Sequence, residues 1–360
     1  MKTIHLEPGD DLAAVLLANR GAGTVINLSP GEYPMPGNWQ AGESNRWCHV
    51  DAGVTVRGVD PIRRSVLAFG RVQRETGGKE RPDRDLTMLW CNGYPEKYRG
   101  SLDTTLENLV IDLRGRPSGW YSSGLRMHNR SVLRNIRILG VRGAQGDETT
   151  LSKDVEAFAV SATGNTGGSR WSGLACEQAE GYASGFFLGS TEEDEVMWSR
   201  VVDCVCELPE AGWFGFAANQ RTGFDRCQNI GGRVGFYNDW LKTVDIHMSD
   251  CDLVGGLAAI LVRPRSKECR FDVRFFDGSL RGATAVGVDV GDGVPVEGTI
   301  VVHSSVIDAD NLYIVRNTGA ELRFEFCSVR RRVIDGVRHG GNPPKVTGCY
   351  GYERLMSTVK

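Results

Sequence analysis

Tyr237, Asp239 and Asp289 carry acid–base chemistry at repeating places in this chain. Tyr237 and Asp289 stand inside short Gly-apolar-x-apolar runs, Gly235-Phe236-Tyr237-Asn238 and Gly287-Val288-Asp289-Val290, and Asp239 directly follows the first. If successive runs stack as neighbouring strands, Asp239 and Asp289 lie two layers apart, about 10 Å along the stack. Inverting glycoside hydrolases hold two carboxylates roughly 6.5–9.5 Å apart around a water, and side-chain reach closes that gap. One carboxyl then protonates a leaving oxygen while the other activates water. The same neighbourhood reads as an elimination set. There Tyr237 is the base or acid, and Lys242, Arg263 and Arg265 supply cations that neutralise a uronate carboxylate. Arg126, His128 and Asn219 complete the candidates as substrate-binding groups. Arg126 and His128 fall about four layers from Tyr237, near 19 Å, which suits a further subsite rather than one catalytic centre.

The elements that must position these side chains form two alternating series of short strands. The Gly-apolar-x-apolar series recurs at Gly124, Gly185, Gly235 and Gly287. The second places a thiol or small residue at one fixed position: Asp203-Cys204, Arg226-Cys227, Asp250-Cys251, Ser304-Ser305, Phe326-Cys327 and Gly348-Cys349. An irregular repeat of strands and turns at this period is the signature of a solenoid. Side chains alternate across a strand, so Phe158, Phe186, Phe216, Phe236, Leu257 and Val288 are expected to point inward. The outward set is then Arg126 and His128, Ala159 and Ser161, Phe187 and Gly189, Ala217 and Asn219, Tyr237 and Asp239, Ala258 and Ile260, Asp289 and Gly291, Tyr313 and Val315, and Arg338 and Gly340. Much of that face is small, the floor of a groove for an extended chain.

Composition narrows the classes. The 360 residues include 46 Gly, 13 Pro and 10 Cys, with a formal net charge of −3. Cys204, Cys227, Cys251, Cys327 and Cys349 share a register with Leu109, Ile136 and Leu174, so they are expected as buried free thiols filling the core. No C-x-x-C pair points to zinc. Free thiols suit a reducing compartment, and the N-terminal residues lack an apolar signal core, so the expected setting is cytoplasmic or phage-associated. No apolar run is long enough to span a bilayer. Neither nucleic acid nor membrane is an expected partner. Residues 51–150 hold 17 Lys/Arg against 12 Asp/Glu, and residues 151–210 hold 3 against 11. The basic third is a place for an anionic polymer, or else a set of solvated turns. Asp154, Glu156, Glu180 and Glu210 precede successive strands and offer the hard oxygen ligands calcium takes, against the plainer reading of solvated turns.

The start is a separate element. Asp10 and Asp11 cap a helix whose Leu12, Val15, Leu16 and Leu17 favour one face, and Gly23-Thr24-Val25-Ile26-Asn27-Leu28-Ser29-Pro30-Gly31-Glu32-Tyr33 follows as a strand and turn. The stretch from Gly21 to Tyr33, and the strands Glu107-Asn108-Leu109-Val110-Ile111 and Arg134-Asn135-Ile136-Arg137-Ile138, resemble the pectate-lyase-like superfamily. The resemblance runs over residues 10–352. It implies an all-β fold, a single-stranded right-handed parallel β-helix with an N-terminal capping helix. One domain is expected over 1–360: cap and first strand in 1–35, coils in 36–352 with loops at 73–85 and 143–170, and a tail at 353–360. The superfamily includes polysaccharide lyases, hydrolases, epimerases and non-catalytic members, so the resemblance implies a poly- or oligosaccharide, anionic by preference, as partner. No N-T-D-G, paired Asp-Asp or G-H-G stretch of the polygalacturonases is present, and Arg263-Pro264-Arg265 is similar to the pectate-lyase R-x-P-x-x-R stretch only at altered spacing. The expected function is therefore a carbohydrate-active lyase or hydrolase. The alternatives are a non-catalytic glycan- or protein-binding β-helix and an intracellular lyase or isomerase of a small metabolite. The short C-terminal tail leaves the last coil open to capping by a second subunit.

Overall fold

A computed structural model describes residues 1–19, 23–35, 38–39, 48–69, 86–92, 103–115, 122–143, 157–189, 197–238, 244–263, 270–289, 297–316, 320–330, 337–339 and 344–351. Among them are 31 strands and one helix. The fold is a right-handed parallel β-helix. The chain divides into two compact units, Met1–Asp194 with Glu207–Gly212, and Glu195–Cys206 with Trp213–Lys360.

In the first unit the coils build three parallel sheets, and Thr104–Asp112, Ser131–Leu139 and Arg170–Glu177 each bend at a corner, the part before it in the second sheet and the part after it in the third. Ser131–Leu139 pairs with Thr104–Asp112 on one side and Arg170–Glu177 on the other, keeping Ile136 opposite Leu109 and Leu174. Ser122–Asn129, Ala157–Asn165 and Ala183–Leu188 form the first sheet. Asn38–Trp39 is the exception, pairing antiparallel with Leu86 and Thr87. Asp11 caps the helix Leu12–Ala18, accepting from the Ala14 amide at 2.9 Å. The helix buries Leu12, Ala13 and Leu16 against Glu32–Met35 and His49–Asp51. Leu17, expected on that face, is exposed, and Ala13 takes its place. A strand not evident in the sequence, Lys2–Leu6, precedes the helix and pairs with Thr24–Leu28.

The second unit repeats the plan. Phe214–Ala218, Val234–Asn238, Ala258–Val262 and the later part of Ser279–Asp289 build its first sheet. Phe216 and Phe236 stack in register and are buried, each worth roughly 1.5–3 kcal/mol of apolar transfer.

The second repeating series is a corner. Asn108, Asn135, Asp203, Arg226, Asp250, Asp277, Ser304 and Phe326 all have φ between 49° and 57°, and Gly173 and Gly348 lie at 61° and 63°. Asn, Asp and Gly are the residues that tolerate this left-handed conformation. In the second unit each corner amide continues the ladder into the next coil: Asp203 to Asp225 O at 3.0 Å, Arg226 to Ser249 O at 3.0 Å, Asp250 to Phe276 O at 3.1 Å. No backbone donor is lost at the bend. In the first unit the side chains add a ladder of their own. Asn135 Nδ2 donates to Asn108 Oδ1 at 2.8 Å, and Asn108 Nδ2 donates to Gly58 O at 3.1 Å. The residue after each corner turns into the core, which is why Cys204, Cys227, Cys251 and Cys327 are buried, while Cys349 in the last described coil is half-buried. All nine described cysteines are free.

Candidate functional site

Register decides which candidates share a face. In the second unit Ala217, Tyr237, Leu261, Gly287 and Ile314 form one outward row of the first sheet. Arg263 and Asp289 stand two residues beyond Leu261 and Gly287, in adjacent coils. Arg263 Nε lies 3.4 Å from Asp289 Oδ2, with both side chains partly exposed. The Arg263 amide donates to Asn238 O at 2.6 Å, which fixes the backbone there. Tyr237 is one coil before Arg263, placing their Cα atoms about 8 Å apart from strand rise and coil spacing.

Tyr237 is only 6% exposed. Its ring stacks on Phe214 at 5.6 Å and meets Trp213 edge-on at 5.1 Å. The geometry recurs in the first unit, where Phe158 lies 6.0 Å from Phe187. In both cases the first ring belongs to the residue three before the partner's register mate, Phe158 opposite Ser184 and Phe214 opposite Val234. These pairs pack one coil against the next. Phe158 is accordingly only half-buried, not the core residue expected. Asn219 is 2% exposed. The small floor residues Ala159, Ser161 and Ala217 are buried as well.

Four strands sit in a register other than the expected one. Val160, not Phe158, pairs with Phe186, and Val286, not Val288, pairs with Ile260, shifts of two residues that keep the faces. The other two shift by an odd number and exchange them. Ile260 pairs with Phe236 and is 0% exposed, and Ala258 is also buried, while Leu257 is 50% exposed. The Gly255-Gly256-Leu257 run imitates the start of the repeat, but Ala259 occupies the place of Gly235. Tyr313 and Val315 pair with Val286 and Val288 and face the core; Ile314 takes the outward place. The shift is what brings Arg263 onto the outward face beside Asp289. Asp239, Lys242 and Arg265 lie outside the described residues.

Arg126 and His128 belong to the first unit. Arg126 stands opposite Ser161, and the register slips between Met127 and Asn129. The slip sets His128 beside Thr163, with its Nδ1 3.5 Å from the Thr163 hydroxyl. Gly164, at φ +101°, comes so near that a Cβ there would meet His128 O at 3.0 Å. Burial, and secondarily the Arg126 guanidinium, push the His128 pKa down to about 4. Its imidazole is therefore neutral at physiological pH.

Two of the four carboxylates offered for calcium lie among the described residues. Glu180 and Glu210 are exposed, with Arg142 3.6 Å from Glu180, and Asp154 and Glu156 lie outside the described residues. Among the described residues no three His, Cys, Asp or Glu side chains converge as metal ligands. A depression of about 400 Å³ lies on the second sheet of the second unit, lined by Asp272, Arg274, Phe276, Thr299, Arg323 and Glu325 among others. Arg274 is paired to Asp272 at 2.6 Å and Arg323 to Glu321 at 2.9 Å, and none of the described sequence candidates lines it.

No known protein-family profile matches the chain, and no curated protein matches it by sequence. Solved structures do match. The A-module of the mannuronan C-5 epimerase AlgE6 of Azotobacter vinelandii is similar at 11% identity over 95% of both chains, with a TM-score of 0.55. A rhamnogalacturonan lyase matches at 13% identity over 99% of this chain and 90% of its own, with a TM-score of 0.46. The catalytic unit of the GH87 α-1,3-glucanase of Streptomyces thermodiastaticus matches at 13% identity, over 97% and 67%, with a TM-score of 0.47. Together with the strand register, the first of these shows the fold of a right-handed parallel β-helix. At this identity the likeness is one of fold.

Proposed function

We propose that the protein is a carbohydrate-active enzyme that acts on a uronate-containing poly- or oligosaccharide at the first sheet of its second unit. The observation that carries this reading is the Arg263–Asp289 pair, one and two coils beyond Tyr237. A proton alpha to a carboxylate is acidic enough to remove only when that carboxylate is neutralised. Arg263 supplies a planar cation matched to a carboxylate, and Asp289 orients it. Tyr237 is the group with a proton to exchange, at the end of an aromatic stack that limits its motion. After removal of the C5 proton, breaking the C4–O bond gives elimination, and reprotonation from the other face gives an epimer. The epimerase with the similar fold is named for a reaction at C-5, which agrees with this chemistry. Hydrolysis by an Asp239–Asp289 pair is favoured less, because Asp289 is engaged by a guanidinium.

The test is a panel of polyuronates and neutral glycans, each with and without calcium. Ultraviolet absorbance of an unsaturated product marks elimination, and a changed anomeric proton spectrum without chain cleavage marks epimerisation. New reducing ends without absorbance mark hydrolysis. The reading fails if none appears, or if Tyr237→Phe and Arg263→Ala leave the observed activity unchanged.

A further inference from the structure

The third sheet of the first unit carries a charge cluster that the proposed chemistry leaves unused. Arg137 stands in its middle, donating Nε and Nη2 to the two carboxylate oxygens of Glu177 at 3.0 and 2.6 Å. Arg114 grips Asp112 in the same forked way at 3.0 and 2.6 Å, and its Nη1 lies 3.4 Å from Gln178 Oε1. Asp112 and Glu177 flank Leu139 in register, so the two carboxylates sit on coils two apart.

Arg64 reaches into this cluster from the corner that precedes Ser65–Phe69. Burial first, and then the Arg137 guanidinium, work against its charge, which Glu177 favours. Arg137 in turn is close enough to Arg114 for the two to repel. Among the described residues, Arg64 Nη1 is buried and has no hydrogen-bond acceptor. Three guanidiniums thus face two carboxylates, and both carboxylates are already held by the other two arginines. One positive charge and one buried N–H remain to be answered. Val66, Val110 and Ala175, in register with Arg137, form a low floor around it. A guanidinium edge is matched by a planar or tetrahedral oxyanion.

We propose that Arg64, with Arg137 and Arg114, forms an oxyanion subsite on the third sheet, taking the carboxylate or ester sulfate of an anionic glycan or the same group as a free ion. It gives the basic third of the sequence a specific place. It belongs to the first unit and Tyr237 to the second, and it does not depend on the chemistry assigned there. The whole protein, labelled with nitrogen-15 at arginine, is titrated at low salt with a hexuronate tetramer, a neutral hexose tetramer and sodium sulfate. The Nε–H resonances of Arg64 and Arg137 are expected to shift with the uronate and with sulfate, and not with the neutral sugar. Arg64→Gln is expected to weaken uronate binding at this site by about tenfold, with Arg64→Lys intermediate because the charge stays and the fork is lost. Sulfate shifts without uronate shifts support the subsite and assign it to free oxyanions. The proposal is overturned if Arg64→Gln leaves the Arg137 shift and the affinity as they were, or if the neutral tetramer shifts the Arg64 and Arg137 resonances of the parent. Uronate binding lost in Arg263→Ala and untouched in Arg64→Gln sinks this proposal while leaving the functional reading intact.

Discussion

Arg263 Nε lies 3.4 Å from Asp289 Oδ2 across adjacent coils of the second unit. Both side chains are partly exposed, so the pair adds little to stability, about 1 kcal/mol or less. Its value is orientation. Asp289→Asn is therefore expected to leave the melting temperature within about 3 °C of the parent and to lower kcat/KM on a polyuronate by roughly ten- to a hundredfold, since a misoriented cation loses transition-state contact. Arg263→Ala should cost at least as much, and the double variant little more than the worse single one, because the two act as a unit. Additive losses measured on the same substrate would show that the residues act separately.

The left-handed corner gives a prediction about stability alone. Ser304 holds φ 49° without the local compatibility of Asn, Asp or Gly. Most equivalent corners carry one of those three. Ser304→Asn is expected to stabilise by about 0.5–1 kcal/mol, the recoverable part of the left-handed cost, readable as a higher denaturant midpoint with an unchanged slope. Ser304→Val should destabilise by at least as much, because a β-branched side chain fits this backbone worst.

These corners were also the most legible feature of the sequence. Asn108, Asn135, Asp203 and Asp250 precede an apolar or thiol residue at a fixed step, and that step is the bend itself. Local backbone preference and core filling act on neighbouring residues, so the pattern survives in one dimension. Faces were harder to read. Gly255-Gly256-Leu257 satisfies the repeat pattern three residues too early, and an odd shift in a strand exchanges its two sides. Ile260 and Arg263 were separated correctly only by pairing with Phe236 and Asn238, contacts between coils that no local pattern encodes. The burial of Tyr237 and Asn219 was likewise hidden, because an outward position in a strand says nothing about what covers it.

Thiol chemistry follows from the same stack. Burial, with the neighbouring thiol Cys204, drives the Cys227 pKa far above its ordinary value, and Cys251 is raised chiefly by its hydrogen bond with Cys227 and by burial. Burial is also the main cause lifting Cys327 to about 12. Only a thiolate attacks disulfide or alkylating reagents. Cys349, half-buried in the last described coil, is expected to react well before Cys227 and Cys251 in the native protein. Those two should become reactive only on global unfolding. Alkylation followed by peptide mass mapping checks the order, and early labelling of Cys227 would show that the central coils open locally.

His128 sets an acid limit on the first unit. Burial first, and Arg126 second, hold its pKa near 4, against 6.5 for the free side chain. The unfolded chain therefore binds a proton at this residue before the folded one does. Stability from this group is fully present above about pH 6.5 and is lost as pH falls towards 4, below which both states are protonated. The loss is at most roughly 3 kcal/mol, from the displacement of the pKa. His128→Gln removes the proton-binding step and keeps a polar group beside Thr163. Urea unfolding between pH 7 and pH 4 is expected to show the parent losing more stability than the variant, with the difference opening below pH 6.5. Parallel curves would mean that water reaches His128 and that its imidazole charges without cost, removing the basis for treating it as a neutral group in the folded protein.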